Sequence, residues 1–250
     1  MSKKQLFDNI DQKEKDLKEM ASKIWKYAEG PFKEVKSSKL QKDYLKSKGF
    51  TIKGVPNVEA AFIAEFGECK PILGILGEYD ALPGMSQKIS ERKEAVNGAE
   101  FGHGCGHNLL GTGGVGAVEA LKEIMINENL QGTIRYYGCP GEETLSGKVL
   151  MAREDIFNDL DACVTWHPAS MNVVWGCSFL ALNSMKFRFK GIPAHAAAAP
   201  QAGRSALDAV ELMNVGANYL REHIIQEARV HYVITNGGLA PNIVPDNAEV

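Results

Sequence analysis

Gly132-Thr-Ile-Arg-Tyr-Tyr-Gly-Cys-Pro-Gly-Glu-Glu143 is the stretch on which the fold class turns. Gly132-Thr133 opens the strand Ile134 to Gly138, and a Pro-Gly turn then delivers two adjacent carboxylates to its carboxyl end. Upstream, Val115, Val118, Leu121, Ile124 and Met125 recur at helical spacing and mark a buried helix behind the glycine-rich stretch Gly102 to Gly116. Downstream, Gly147 to Glu154 reads as a helix and Ala162 to Trp166 as the next strand, ending at His167-Pro168. Strands and helices that alternate in this way predict an α/β fold with a mostly parallel central sheet, and such sheets place ligands at the carboxyl ends of their strands. Glu142, Glu143 and His167 all fall there.

Towards the N-terminus, Leu6, Ile10, Leu17, Met20, Ile24 and Tyr27 predict one long amphipathic helix over Leu6 to Ala28, ending at Gly30-Pro31. A second helix covers Ser38 to Lys48 and stops at Gly49. Ala60 to Phe66 and Ile72 to Leu76 read as strands joined by a short polar turn, and Gln87 to Glu100 as a loop. From Leu180 the pattern changes: Met185 to Lys190 alternates strictly, a helix follows over Ser205 to His223, and a strand over Val230 to Thr235. The division expected is residues 1–180 as the first part of an α/β domain and 181–250 as the first part of an α+β domain. Another strand begins just before Val250, so this second domain reads as incomplete.

A formal charge of -3 over 250 residues offers no concentrated basic surface for a nucleic acid. The apolar runs, such as Cys177 to Leu182, fall far short of the ~20 residues that span a bilayer. Met1 to Leu17 lacks the apolar core of a signal peptide, and five scattered cysteines suit a reducing compartment; a cytoplasmic protein with a small-molecule partner is expected. Cys69, Cys139, Cys163 and Cys177 read as structural, and Cys105 as the exception.

Gly102-His-Gly-Cys-Gly-His-Asn108 sets a thiol and imidazoles among glycines that let the backbone fold around a small ion. Cys105 and His107, two apart, can point to one side of an extended loop. Taken alone the loop is also compatible with polar decoration. The Glu142-Glu143 pair and His167 at the same sheet edge shift the balance, because buried adjacent carboxylates are costly without a cation. One carboxylate can bind an ion while its neighbour handles a proton, as hydrolysis requires.

The motifs Gly77-Glu-Tyr-Asp-Ala-Leu-Pro83, Gly102-His-Gly-Cys-Gly-His-Asn108, Pro140-Gly-Glu-Glu143, Trp166-His-Pro168, Gly191-Ile-Pro-Ala-His195 and Asn242-Ile-Val-Pro245 occur in this order over nearly the whole chain. Together they resemble the M20 peptidase family, in its hippurate-hydrolase and aminoacylase-like branch. The resemblance implies Cys105, His107, Glu143 and His167 as metal ligands and Glu142 as the general base. It places Asp80 behind a ligating imidazole, His195 as a lid-domain histidine that reaches a partner subunit's site, and Asn242 against substrate. It further implies two divalent ions, manganese or zinc, and an inserted lid that forms a homodimer, with a homologous subunit as a further partner. The implied reaction is amide hydrolysis of N-acyl amino acids such as p-aminobenzoyl-glutamate. Chains of the family continue past the lid and supply a further histidine ligand, so a non-catalytic binding or assembly subunit is the alternative expectation.

Other chemistries fit less well. Gly111-Thr-Gly-Gly-Val-Gly116 matches a dinucleotide fingerprint, yet it follows the Cys/His loop instead of a strand, and no acidic residue stands about 20 positions on. Close helix packing explains those glycines. Neither Ser146 nor Ser178 lies in a nucleophile elbow, and the zinc-deaminase pattern is absent. His103, His223 and His231 read as loop, helix-surface and strand residues.

Overall fold

The computed structural model describes residues 3–176 and 178–250; Cys177 lies outside the described residues. Two compact units result, Met1–Val173 and Val174–Val250. In the first, helices α1 (Lys3–Asp11), α2 (Glu14–Tyr27) and α3 (Val35–Ser47) precede strands β1 (Thr51–Gly54), β2 (Phe62–Gly67) and β3 (Ile72–Glu78). The short strands β4 (Leu82–Pro83) and β5 (Phe101–Gly102) follow, then helix α4 (His107–Asn127), β6 (Thr133–Cys139), α5 (Gly147–Arg153) and β7 (Ala162–Val164).

The five-stranded sheet has the order β1-β2-β6-β3-β7. β3 pairs in parallel with both β6 and β7, whereas β2 runs antiparallel to β6 and to β1. Four strands thus point one way and β2 alone opposes them. Residues alternate across the sheet as the two-residue period demands. Phe62, Ala64, Ile134 and Tyr136 join Ile24, Leu45, Val115 and Val118 on one face, while Ile63, Tyr137 and Cys139 join Val55 and Met151 on the other. Both faces of β2 and β6 are covered, and the charged pair Glu65 and Arg135 within them bonds across the two strands at 2.5 Å.

α4 begins at His107, eight residues before the first apolar position by which the sequence places it, so the glycine-rich stretch is itself helical. Its glycines mark close approaches. A Cβ on Gly111 would lie 2.4 Å from the backbone oxygen of Glu78, and one on Gly114 would lie 2.8 Å from the Tyr136 ring. The first turns of α4 can therefore rest directly on the ends of β3 and β6.

Several expectations are corrected. The single N-terminal helix is two, because Lys13 leaves helical geometry (φ -100°, ψ 3°), donates to the Asn9 carbonyl and pairs with Glu123. In the sheet β6 lies between β2 and β3, the two strands that a short turn joins in sequence. Cys139 is buried, but Cys69 and Cys163 are exposed. β7 is a sheet edge, and Cys163 on it lacks cover.

In the second unit, β8 (Arg188–Lys190) pairs antiparallel with β9 (Asn247–Glu249), and α6 (Ala206–Leu220) packs on this ribbon through Ala206, Val210, Ala248 and Val250. Ser205 caps α6 by accepting the Asp208 N–H at 3.1 Å. The alternating run from Met185 forms a strand only over its last three residues. Val230 to Thr235 forms none: its last residue donates its N–H to the Glu249 carbonyl of β9 at 2.9 Å beside the Asn236 bridge to the same residue, but a strand needs a ladder partner along its length.

Gly111→Ala should lower the thermal midpoint by the equivalent of about 1–3 kcal/mol, the cost of forcing a methyl into packed backbone. Gly216→Ala, whose Cβ would meet nothing within 4 Å, should gain about 0.4–1 kcal/mol in its helix. Melting curves showing equal effects would mean that α4 is not held at this close distance.

Candidate metal centre

Three parallel strands end side by side, and the loops beyond them carry the candidate ligands. Glu78 closes β3 opposite Cys139 of β6, and Asp80 follows two residues on. After β6, the positive φ of Gly141 (62°), a conformation that suits glycine, turns the chain so that Glu142–Thr144 forms one 3-10 turn over the sheet edge. After β7 the Trp166 indole N–H donates to the Leu110 carbonyl at 3.2 Å, tying this loop to α4 and setting His167 beside Cys105.

Cys105 Sγ lies 3.2 Å from His167 Nε2, and His167 Nδ1 lies 2.8 Å from the Pro168 carbonyl. A carbonyl only accepts, so Nδ1 carries the hydrogen and Nε2 turns its lone pair inward. His107 repeats the arrangement. Its Nδ1 is 2.9 Å from Asp80 Oδ1, while Nε2 faces Glu78 Oε2 at 3.0 Å, Glu142 Oε2 at 3.7 Å and Glu143 Oε1 at 3.8 Å. Among the described residues two donor clusters arise, Cys105–His107–His167 and Glu78–His107–Glu142, each with its ligand atoms within 4.8 Å of one another. Glu143 makes the 3.8 Å approach to His107 but belongs to neither cluster.

The residues fit a divalent cation. His107 Nε2, Glu78 Oε2 and Glu143 Oε1 are buried without hydrogen-bond partners. With its hydrogen given to Asp80, Nε2 is an acceptor facing carboxylate oxygens, which is unfavourable unless a proton or a metal stands between them. Burial works against the imidazolium of His107, but the Asp80 hydrogen bond and the Glu78 charge outweigh it and raise the pKa, so a proton is the competitor of a metal here. Burial, then the Glu143 carboxylate, push the Cys105 thiol up to about 12, and it would ligate only once a cation displaces its proton. A set of sulfur, nitrogen and oxygen donors suits a borderline-soft ion.

Glu142 and Glu143 differ in surroundings. Burial, followed by the charge of Glu78, raises the Glu142 pKa above the ordinary carboxylate value. Glu143 has its backbone N–H bound to Asp80 Oδ2 at 2.9 Å and its Oε1 buried and unpartnered. Asp80 thus holds His107 with one oxygen and the Glu143 backbone with the other.

The family described as Peptidase family M20/M25/M40 matches residues 74–244, a span that contains every one of these groups. The chain belongs to the M20 peptidase family. It is 48% identical over 246 residues to a p-aminobenzoyl-glutamate hydrolase subunit of Escherichia coli, covering 97% of this chain and 51% of that protein. This M20 chain therefore spans about half the length of that relative. Its fold matches the crystal structure of an aminobenzoyl-glutamate utilization protein from Klebsiella pneumoniae with TM-score 0.63 and 19% identity, over 98% of this chain and 67% of that one. It also matches a Bacillus subtilis protein described as a dinuclear metal binding peptidase from the M20 family, with TM-score 0.59 and 23% identity over 94% and 62%.

His195 and Asn242 stand in the second unit of the M20 chain, both exposed. The backbone N–H groups of Ala197 and Ala198 donate to His195 Nδ1 at 3.2 and 3.1 Å, so Nε2 carries the hydrogen of the neutral ring. The Asn242 carbonyl accepts the Ala196 N–H at 3.0 Å, joining the two segments. No reading of the sequence assigns a role to Glu78, Lys148 or Glu34, yet all three border the centre. His103 is more than a loop residue: buried, it lies 3.0 Å from the Ile24 carbonyl, and burial lowers its pKa to about 4.

Glu34, fully buried, accepts the Gly141 N–H at 2.7 Å and so holds the turn that presents Glu142 and Glu143. Burial raises its carboxyl from 4.5 to about 7. A carboxyl that binds its proton more tightly when folded stabilises the fold at low pH, and this contribution is lost as pH rises from about 4.5 through 7. Glu34→Gln keeps an acceptor for Gly141 and should flatten that decline, with its largest relative gain in thermal midpoint above pH 7. Parallel melting-versus-pH curves for the two proteins would contradict the raised value.

Proposed function

We propose that this chain forms the metal-binding part of a metal-dependent amidohydrolase that cleaves N-acyl amino acids, with p-aminobenzoyl-glutamate or a similar aroyl-amino acid as substrate. The observation that carries the reading is the meeting of Cys105, His107 and His167 beside the adjacent carboxylates Glu142 and Glu143, with a buried imidazole nitrogen that has no partner. The 48% identity to a p-aminobenzoyl-glutamate hydrolase subunit supports the substrate class. Residues 1–180 serve as catalytic domain and 181–250 as lid and dimerisation domain. The partners we infer are a second copy through the lid and a homologous subunit, in keeping with the relative's name as a subunit. The cytoplasm is the compartment we assign; no helix among the described residues is long and apolar enough to cross a membrane.

Cys105, His107, Glu143 and His167 would hold the metal, manganese or zinc, with two ions in the complete site. When bound, a divalent ion supplies Lewis acidity that polarises the scissile carbonyl and makes water easier to deprotonate. Glu142 accepts the proton of the attacking water and returns it to the leaving amide nitrogen, so one carboxylate serves as base and then as acid. Asp80 keeps the His107 ring in its Nδ1–H tautomer and fixes the backbone of Glu143 throughout. His195, whose Nδ1 accepts two backbone N–H groups so that Nε2–H can donate, would stabilise the oxyanion in the partner subunit's site, and Asn242 would contact substrate.

In the intact protein, Glu142→Gln should retain metal and lose roughly 10²–10⁴-fold in kcat on p-aminobenzoyl-glutamate, the range ascribed to general acid–base catalysis. Glu143→Gln should instead lower metal content by elemental analysis, because a neutral amide is a poorer ligand for a divalent cation than a carboxylate. Near-normal turnover by Glu142→Gln would assign the base to another group.

A further inference from the structure

Glu78 has a divided environment. It is the last residue of β3 and only 5% exposed. One carboxylate oxygen, Oε1, is ion-paired with Lys148. The other, Oε2, is buried and has no hydrogen-bond partner, although it lies 3.0 Å from His107 Nε2, which is equally unpartnered. The Lys148 ion pair accounts for Oε1, whereas Oε2 has only the charge contact with His107. That contact is not a hydrogen bond, because the two atoms are close but not aligned for it.

We propose that Glu78 is a further metal ligand of the centre, its Oε2 meeting the same ion as His107 Nε2. This rests on the reading of the site as a metal centre. Two donors each roughly 2.1 Å from one ion and at right angles to each other are about 3 Å apart, which is the separation found between these two atoms. Glu142, the proposed base, lies within 4.8 Å of this pair, while Cys105 and His167 form the sulfur–nitrogen cluster that also contains His107. His107 is the member common to both. Lys148 pairs with Oε1, which leaves Oε2 for the ion. A hard donor added here favours an oxygen-seeking ion of high coordination number over one satisfied by four softer ligands, so Glu78 tilts the centre towards manganese relative to zinc.

The test measures Mn²⁺ and Zn²⁺ affinities by chelator competition in the intact wild-type, Glu78→Gln and Glu78→Asp proteins, with circular dichroism to confirm folding. Glu78→Gln should weaken Mn²⁺ binding by roughly 10–100-fold or more, the scale seen even for residues that only orient ligands, and weaken Zn²⁺ binding less. The Co²⁺-loaded variant should also show an altered d–d absorption, the signature of a changed ligand set. Should Glu78→Gln not fold, Glu78→Asp decides: its shortened carboxylate should show reduced Mn²⁺ affinity. Unchanged Mn²⁺ affinity and an unchanged Co²⁺ spectrum in a folded variant overturn the role of Glu78 and leave the metal centre standing. A wild-type protein that takes up neither ion overturns both.

Discussion

The buried carboxylate of Asp80 is the tie on which the candidate centre depends. One oxygen engages the ring of His107 at the start of α4, and the other engages the backbone of Glu143 beyond β6. Two segments far apart in sequence are thereby fixed to the end of a third, β3. A carboxylate that is 1% exposed is expensive to bury unless its oxygens are bonded, and here each has a partner. Losing it would free the His107 ring to rotate and leave the Glu143 N–H without its acceptor, so its effect on the chemistry and on the fold cannot be separated.

The sheet makes this tie possible. β3, β6 and β7 run in parallel, so their carboxyl ends reach one edge in register, with Glu78 opposite Cys139 and Ile75 opposite Val164. α4 must start at the same edge for Cys105 and His107 to join them. The absence of a side chain at Gly111 allows this, because the helix rests against the Glu78 backbone itself. Packing and ligand placement are here the same fact: a bulkier residue in the first turn of α4 would move His107 away from Asp80.

The strand Ile134 to Gly138 and the carboxylates behind it were legible because the strand sits in a strand–helix alternation and the carboxyl ends of parallel strands have a known use. The convergence of Cys105, His107 and His167 followed from the same rule, applied to adjacent loops. Glu78 carried a signal that strand periodicity contains: residues 78 and 80 share a face, while Tyr79 points the other way, into the core, where its hydroxyl donates to the Ala60 carbonyl at 2.6 Å. A reading that assigns Asp80 to His107 therefore places Glu78 beside the same ring. Glu34 gave no such signal, because its partner Gly141 is 107 residues away and only the fold brings them together. Val230 to Thr235 failed for the opposite reason: its local pattern suits a strand, but a strand also requires a partner, which local pattern does not encode.

The charges around His107 set a final constraint on what the centre can be. Glu78, Asp80, Glu142 and Glu143 crowd one imidazole, and Lys148 is the lysine that meets them, through Glu78. Such an excess of negative charge at a buried point destabilises the fold unless protons or a cation neutralise it. A divalent ion would do so while satisfying His107 Nε2, which lies 3.0 Å from Glu78 Oε2 and 3.8 Å from Glu143 Oε1, all three buried without hydrogen-bond partners. Whatever binds the folded site and not the unfolded chain stabilises the fold by its own binding energy. The same acidic crowding that costs stability in the metal-free chain therefore becomes, with an ion bound, a link between α4, β3 and the loop after β6.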